Sequence, residues 1–329
     1  MPPSIFVRRR ARRPALALLL TLTFPLAACG GVDTVDDERD SSAPDSGSEF
    51  PVSVVSGPMG ADTEITIEDE PSSIISLSPT ATEMLWAVGA GDQVVAVDDQ
   101  SDYPEDVPVT ELSGYEPNVE AILAQEPDLV LTESDQGDLV AGLEKARVPT
   151  LILPSAGTLE ESYDEIERVG AATGHDEEAT ALVADMKAEI EAALEDAPDA
   201  KGLTYFHELT PDLYTAGGGT FIGEVYGLFG LENIADEAGD DDYPQLSDEY
   251  VVSTDPDLIF LSDGECCGVG AADVEKRPGW GRVDAVVDDQ VHVVNEDIAS
   301  RWGPRVVDFV RLVSEILSER EQALGASGS

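Results

Sequence analysis

The chain has 329 residues, with 68 Asp or Glu against 18 Lys or Arg, so its formal net charge is −50. A field of this sign disfavours binding to nucleic acid or to an anionic lipid surface. The three histidines are isolated and lack the spacing of metal ligands, so neither a resident metal nor a cofactor is expected.

The first 28 residues have the pattern of an export signal. Five arginines between Arg8 and Arg13 precede the short apolar run PALALLLTLTFPLAA, and LAAC ends at Cys29. This is the pattern of a lipoprotein signal, which predicts removal of residues 1–28 and lipidation of Cys29. The chain would then be exported and held by acyl chains at the outer face of the cytoplasmic membrane. An ordinary secretory signal with a chance cysteine is the alternative.

Residues 29–57 are rich in Gly, Ser, Asp and Pro, which predicts a flexible acidic tether. Short β-branched runs then alternate with helical spacing over residues 58–157, beginning with SIISLS and SPTATEMLWAVGAG. Ser78 suits an N-cap, Pro79 the first helical turn and Gly89 a helix stop. Strands that alternate with helices predict an α/β lobe with a parallel sheet.

Residues 158–200 contain no strand candidate and carry helical spacing, including a run of about 21 residues, roughly 30 Å long, that ends before Pro198. The alternation resumes over residues 201–320, from LTYFHEL to PRVVDFVRLVSEIL. The predicted fold is therefore two Rossmann-like α/β lobes with parallel sheets, joined by a single long α-helix, with a ligand cleft between the lobes.

One internal repeat links the two predicted lobes. The segments VEAILAQEPDLVLT and DEYVVSTDPDLIFLS align, with Glu120 and Glu249 each seven residues before a proline, Pro127 or Pro256. Asp-Leu and an apolar strand follow in both, so the halves look like copies of one lobe.

The sequence shows no nucleophile elbow, phosphate loop or zinc-protease motif, so an enzyme is not expected. GGGT at 217–220 lacks the lysine of a nucleotide-binding loop. Aromatic residues instead occur in loops that follow predicted strands: Tyr103, Tyr115, Tyr214, Tyr243 and Trp302. Aromatic rings bind large amphipathic ligands with little loss of entropy, so these loops are candidate ligand contacts.

The chain resembles the class III solute-binding proteins of ABC importers, which bind ferric siderophores, haem and cobalamin. The matching segments include IISLSPTATEMLWAVGAGDQVVAV, SDYPEDVP, NVEAILAQEPDLVLT and YPQLSDEYVVSTDPDLIFLS, within residues 70–318. The pattern is most similar to that of the periplasmic cobalamin-binding members. The resemblance implies two α/β lobes joined by one long helix, an ABC permease with its ATPase as partners, and a monomer.

The resemblance also implies roles for individual residues. Tyr103 would contact the ligand, as would Tyr214 and Tyr243. A tryptophan that lines the pocket in cobalamin binders falls at Gly114, next to Tyr115. Arg301 of SRWGPR would donate hydrogen bonds to the ligand, with Trp302 beside it, whereas Arg305 would pair with an acid or face solvent. Glu120 and Glu249 would dock on arginines of the permease.

A corrinoid is the favoured ligand, because its amides and one phosphate need only one arginine; a ferric siderophore or haem is the alternative. Two rivals of other classes are a secreted enzyme that uses acids such as Asp263 and Glu265, and a surface sensor that binds a protein. Cys266 and Cys267 could form a vicinal disulfide or stay as thiols.

Overall fold

The structure, a computed structural model, describes residues 50–239 and 241–327. The predicted signal peptide, Cys29 and the predicted tether up to residue 49 lie outside the described residues. The strands are β1 Val52–Val55, β2 Glu64–Ile67, β3 Ile74–Leu77, β4 Val94–Asp98, β5 Val109–Leu112, β6 Leu129–Thr132, β7 Thr150–Ile152, β8 Thr204–Glu208, β9 Glu232–Asn233, β10 Leu258–Leu261 and β11 Val291–Val293. The helices are α1 Pro79–Ala87, α2 Val119–Leu123, α3 Leu139–Lys145, α4 Leu159–Thr173, α5 Asp176–Asp196, α6 Phe221–Leu228, α7 Asp248–Thr254, α8 Gly264–Cys267, α9 Ala271–Val274, α10 Asp284–Val287, α11 Glu296–Ser300 and α12 Val306–Ser327.

Two parallel sheets confirm the predicted α/β fold. The first has the order β5-β4-β3-β6-β7 and the second has the order β11-β10-β8-β9. Strands β3, β6 and β10 are buried along their whole length, because helices cover both faces of each sheet. The first crossover begins as the sequence predicts: Ser78 caps α1 by accepting from the Ala81 N–H, Pro79 occupies the first turn, and Gly89 follows with φ 92°.

The predicted tether is too long at its C-terminal end. Residues 52–55 form β1, which pairs antiparallel with β2. Val54 and Ile67 of this hairpin are buried against the main core, which holds a segment whose composition alone predicts flexibility. A strand of four residues flanked by Gly, Ser and Pro gives too short a pattern to be recognised.

The segment between the two sheets contains helices α4 and α5. Gly174, in the left-handed region at φ 80°, ends α4, and α5 is the predicted 21-residue helix. Three acids, Asp176, Glu177 and Glu178, occupy its first turn, where they stabilise the helix dipole. Within the described residues, no helix is long and apolar enough to cross a membrane.

The internal repeat has a structural basis in the Asp of each Pro-Asp pair. Asp128 accepts hydrogen bonds from the backbone N–H groups of Ser72 and Ser73, at 2.9 and 3.0 Å. Asp257 accepts from the backbone and the hydroxyl of Thr204, at 2.8 and 3.0 Å. Each aspartate therefore ties the start of one strand to the start of its neighbour, β6 to β3 and β10 to β8.

Candidate functional site

Four of the five predicted aromatic contacts are exposed at the carboxyl ends of strands. Tyr103 follows β4 and Tyr115 follows β5, whereas Tyr214 follows β8 and Tyr243 follows β9. Their exposed fractions are 45, 79, 44 and 53%. Ligands of open parallel sheets bind beyond this edge, so each sheet presents two tyrosines where a ligand would contact it.

The structure brings Tyr214 and Tyr243 onto neighbouring segments. Tyr214 forms an isolated antiparallel bridge with Gln245, and the Thr215 N–H donates to the Pro244 carbonyl at 3.0 Å. Burial raises the pKa of Tyr243, as does the charge of Asp242 to a lesser extent, so its phenol stays protonated at neutral pH. This pair belongs to the lobe of the second sheet.

Arg301 and Arg305 converge on one buried carboxylate, that of Glu83 in α1. Glu83 Oε1 lies 2.9 Å from Arg301 Nη1 and 2.5 Å from Arg305 Nη2, and Oε2 lies 2.8 Å from Arg305 Nε. The side chain of Glu83 is 2% exposed. This contact joins the helix after β3, in the first lobe, to the segment that leads into α12.

Arg301 also pairs with two other acids, Asp102 at 3.0 Å and Asp297 at 2.7 Å. Both terminal nitrogens of its guanidinium are therefore engaged. Glu83 supplies a buried carboxylate that the sequence around Arg301 does not show. Contact between Arg301 and a ligand stays a prediction. It would require guanidinium N–H groups that donate to Glu83, Asp102 and Asp297 in this structure.

Tyr103 lies against the same group of charges. The Arg305 guanidinium carbon lies 4.2 Å from the centroid of the Tyr103 ring. A cation at this distance is attracted to the ring face, so the exposed ring is held in place. The structure thus brings Tyr103, Arg301 and Arg305 together, and the expectation that Arg305 pairs with an acid is met by Glu83.

Trp302 lies against helix α4. Its indole N–H donates to Glu165 Oε2 at 2.9 Å, and its backbone carbonyl accepts from the Ser162 hydroxyl at 2.5 Å. Burial raises the pKa of Glu165 to about 8, an effect that the Trp302 hydrogen bond partly opposes. The indole donor is thus occupied, and a ligand contact by Trp302 stays a prediction limited to its ring.

Gly114 has no room for a side chain. A Cβ at this position would lie 2.3 Å from the Leu77 carbonyl oxygen, well inside van der Waals contact. A tryptophan cannot fit at this position with this backbone, and Tyr115, one residue along, presents an exposed aromatic ring.

Buried acids and a disulfide lie at the carboxyl end of the second sheet. Glu208 pairs with Arg277 through two bonds of 2.5 Å, and the neighbouring Asp263 is fully buried. Burial, followed by the negative charge of Glu208, raises the pKa of Asp263 to about 7. Of the two states that the sequence leaves open, Cys266 and Cys267 form the disulfide, on the exposed helix α8.

Glu120 and Glu249 occupy equivalent positions in the two lobes. Each is the second residue of its helix, α2 or α7, and follows an N-cap, Asn118 or Ser247, that accepts from a backbone N–H. Both are exposed, and within the described ranges neither forms an ion pair. Two matched carboxylates are thus available to a partner.

Sequence reasoning missed Glu83. It is the one charged residue of α1 and is flanked by Thr and Met. A single acid within an apolar helix is a signal for a buried ion pair, because an unpaired buried carboxylate is costly.

The chain is similar in sequence and in fold to known binding proteins. The family model described as periplasmic binding protein matches residues 74–297. The chain is 34% identical to an ABC transporter substrate-binding lipoprotein, YvrC, of Bacillus subtilis, over 91% of this chain and 95% of that protein. It is 30% identical to a cobalamin-binding protein of Halobacterium salinarum, over 89% of this chain and 80% of that protein. The structure of the periplasmic vitamin B12 binding protein BtuF of Vibrio cholerae superimposes with a TM-score of 0.65 and 29% identity, over 76% of this chain and 98% of that one.

Proposed function

Because this chain belongs to the periplasmic binding protein family, we propose that it captures a corrinoid between its two lobes and delivers it to a permease. The family and the relatives show the general function of this chain, which is to bind a substrate for an ABC importer. This importer belongs to the group that takes up cobalamin, siderophores or haem. These relatives are binding proteins and not enzymes.

The observation that carries the proposal is the set of four exposed tyrosines, two from each lobe, at the carboxyl ends of the sheets. In the proposal, Tyr103 and Tyr115 pack on one side of the ligand and Tyr214 and Tyr243 on the other. Tyrosine suits a corrinoid because the ring packs on the macrocycle while the hydroxyl bonds to peripheral amides.

The charges near these tyrosines favour a corrinoid over the alternative, a ferric siderophore or haem. Arg301 and Arg305 are paired with Glu83, and Arg277 is paired with Glu208. An anionic chelate would have to break these pairs to gain a cation. Cobalamin carries neutral amides and one phosphate, which can bind without that cost.

The proposal also includes the placement of the chain. Cys29 would carry the lipid that anchors the exported protein at the outer face of the cytoplasmic membrane. The name of the Bacillus relative describes that protein as a lipoprotein. Residues 29–51 would form the tether, 58–157 and 201–320 the two lobes, and 158–200 the connector. The protein would act as a monomer, with Glu120 and Glu249 docked on the permease and its ATPase behind it.

Co-elution of ligands tests the proposed ligand class. The protein is incubated with cyanocobalamin, with a ferric hydroxamate, with a ferric catecholate or with haemin, and passed over a size-exclusion column. We expect the absorbance of cyanocobalamin, and of none of the others, to elute with the protein at a 1:1 ratio. If an iron chelate or haemin co-elutes and cyanocobalamin does not, the family assignment stands and the proposal of a corrinoid ligand is wrong.

A further inference from the structure

A small cavity opens at the carboxyl edge of the first sheet, beside Tyr115. Its volume is about 120 Å³, and its lining includes Asp98, Gly114, Glu133 and Gln136. Since water occupies about 30 Å³ per molecule in the liquid, this space matches a small polar group such as a carboxamide on a short stem. The cavity is too small for a macrocycle, so it would receive a substituent.

The floor of the cavity contains a buried carboxylate. Asp98 ends β4 and is 2% exposed, and its Oδ1 accepts from the Ser101 N–H at 2.9 Å. A Cβ on Gly114 would lie 3.3 Å from Oδ2, so the absence of a side chain there lets the backbone of Gly114 pass close to this carboxyl group. Burial raises the pKa of Asp98.

The wall of the cavity contains a second carboxylate. Glu133 follows β6, and its Oε1 accepts from the Ser155 hydroxyl at 2.6 Å, which fixes the side chain. Nearby, the Gln136 amide donates one hydrogen bond to the Ser134 hydroxyl, at 3.3 Å. The two carboxyl groups therefore lie beside the uncharged side chains of Gln100, Ser134 and Gln136 in this lining.

Positive charge is missing from this lining. The cavity has neither Lys nor Arg in its lining, within the part of the chain that the structure describes. The arginines of the neighbouring cluster, Arg301 and Arg305, are held by Glu83. A ligand carboxylate placed here would meet two carboxyl groups and no cation, whereas an N–H group would find acceptor oxygens on both carboxyl groups.

We infer that this cavity is a subsite for a hydrogen-bond-donating substituent of the ligand, a carboxamide or an ammonium group, and that it rejects a carboxylate. For the corrinoid, the inference rests on the proposed function and assigns one peripheral carboxamide to Asp98 and Glu133. The subsite itself is a property of the cavity and can be tested without the full ligand.

The first test uses small probes that fit the cavity. Acetamide, methylammonium and acetate are titrated into the ¹⁵N-labelled protein, and the backbone amide resonances of Gly114, Tyr115 and Ser134 are followed. We expect saturable shifts with acetamide and methylammonium, and at least tenfold weaker binding of acetate. The variant Asp98→Asn with Glu133→Gln should lose that preference, whereas Glu116→Gln, an exposed acid on the same loop, should keep it.

Two results of this titration would overturn the subsite: equal affinity for acetate and acetamide, or no saturable shift at the three amides with any probe. Circular dichroism of each variant shows whether it is folded. The single variant Glu133→Gln replaces the pair if Asp98→Asn prevents folding, because Glu133 is only half-buried.

The second test separates the subsite from the proposed function. Cyanocobalamin is compared with its monocarboxylic acids, in each of which one peripheral carboxamide has been hydrolysed. We expect at least one isomer to bind at least tenfold more weakly, and Glu133→Gln to recover most of that loss. Equal binding of all isomers would refute the subsite and leave the corrinoid standing. If cyanocobalamin fails to bind while acetamide binds, the corrinoid is wrong and the subsite stands.

Discussion

Replacement of Glu83 with alanine is expected to lower the free energy of unfolding by about 3–5 kcal/mol, because it leaves buried cations without their partner. Arg301 and Arg305 are 12 and 15% exposed, and both donate to this carboxylate. Urea unfolding followed by tryptophan fluorescence measures the change, with the m-value compared between variants.

Asp102→Ala is the matched control for Glu83→Ala. Asp102 pairs with the same Arg301, but its side chain is 66% exposed, so its loss should cost less than about 1 kcal/mol. If the two variants unfold at the same urea concentration as the unaltered protein, the buried cluster does not stabilise the fold.

The second large effect concerns delivery to the permease. The double variant Glu120→Lys and Glu249→Lys should reduce uptake of labelled ligand by tenfold or more, because it places two cations where arginines of the permease are expected to dock. Ligand affinity should stay within twofold, since both residues are exposed on α2 and α7 and neither is a proposed ligand contact.

Uptake is measured in cells that carry the matching importer together with either the unaltered protein or the double variant. The double variant Glu177→Lys and Glu178→Lys, at two exposed acids in the first turn of α5, controls for the change in net charge. Each single variant should give an intermediate loss, because the two carboxylates occupy equivalent positions in the two lobes. Unchanged uptake in the double variant would refute the docking role.

Most of the fold could be predicted from the sequence because its central strands are short, continuous apolar runs between clear helix signals. Ile74–Leu77 and Leu258–Leu261 are examples, and both are buried throughout. Strand Val109–Leu112 was missed because it is an edge strand that alternates exposed and buried residues over four positions and leaves Val109 exposed. Strand Glu232–Asn233 has two residues, too few for any periodicity.

The candidate site could be predicted only in part. Tyrosines in loops after strands are visible in the sequence, since the end of a parallel strand fixes the edge on which its loop lies. The pairing of Glu83 with Arg301 is not visible, because 218 residues separate them and only the packed lobes bring them together. The steric limit at Gly114 likewise depends on the carbonyl of Leu77, which belongs to another strand.

Calorimetric titration with cyanocobalamin tests the central claim most directly, that tyrosines of both lobes hold a corrinoid. We expect 1:1 binding that Tyr103→Ala and Tyr243→Ala each weaken at least tenfold, a loss of about 1.4 kcal/mol or more. Tyr163→Phe, a buried residue of α4, should bind as the unaltered protein does. The claim would be contradicted if no heat of binding were observed, or if both alanine variants bound cyanocobalamin as tightly as the unaltered protein.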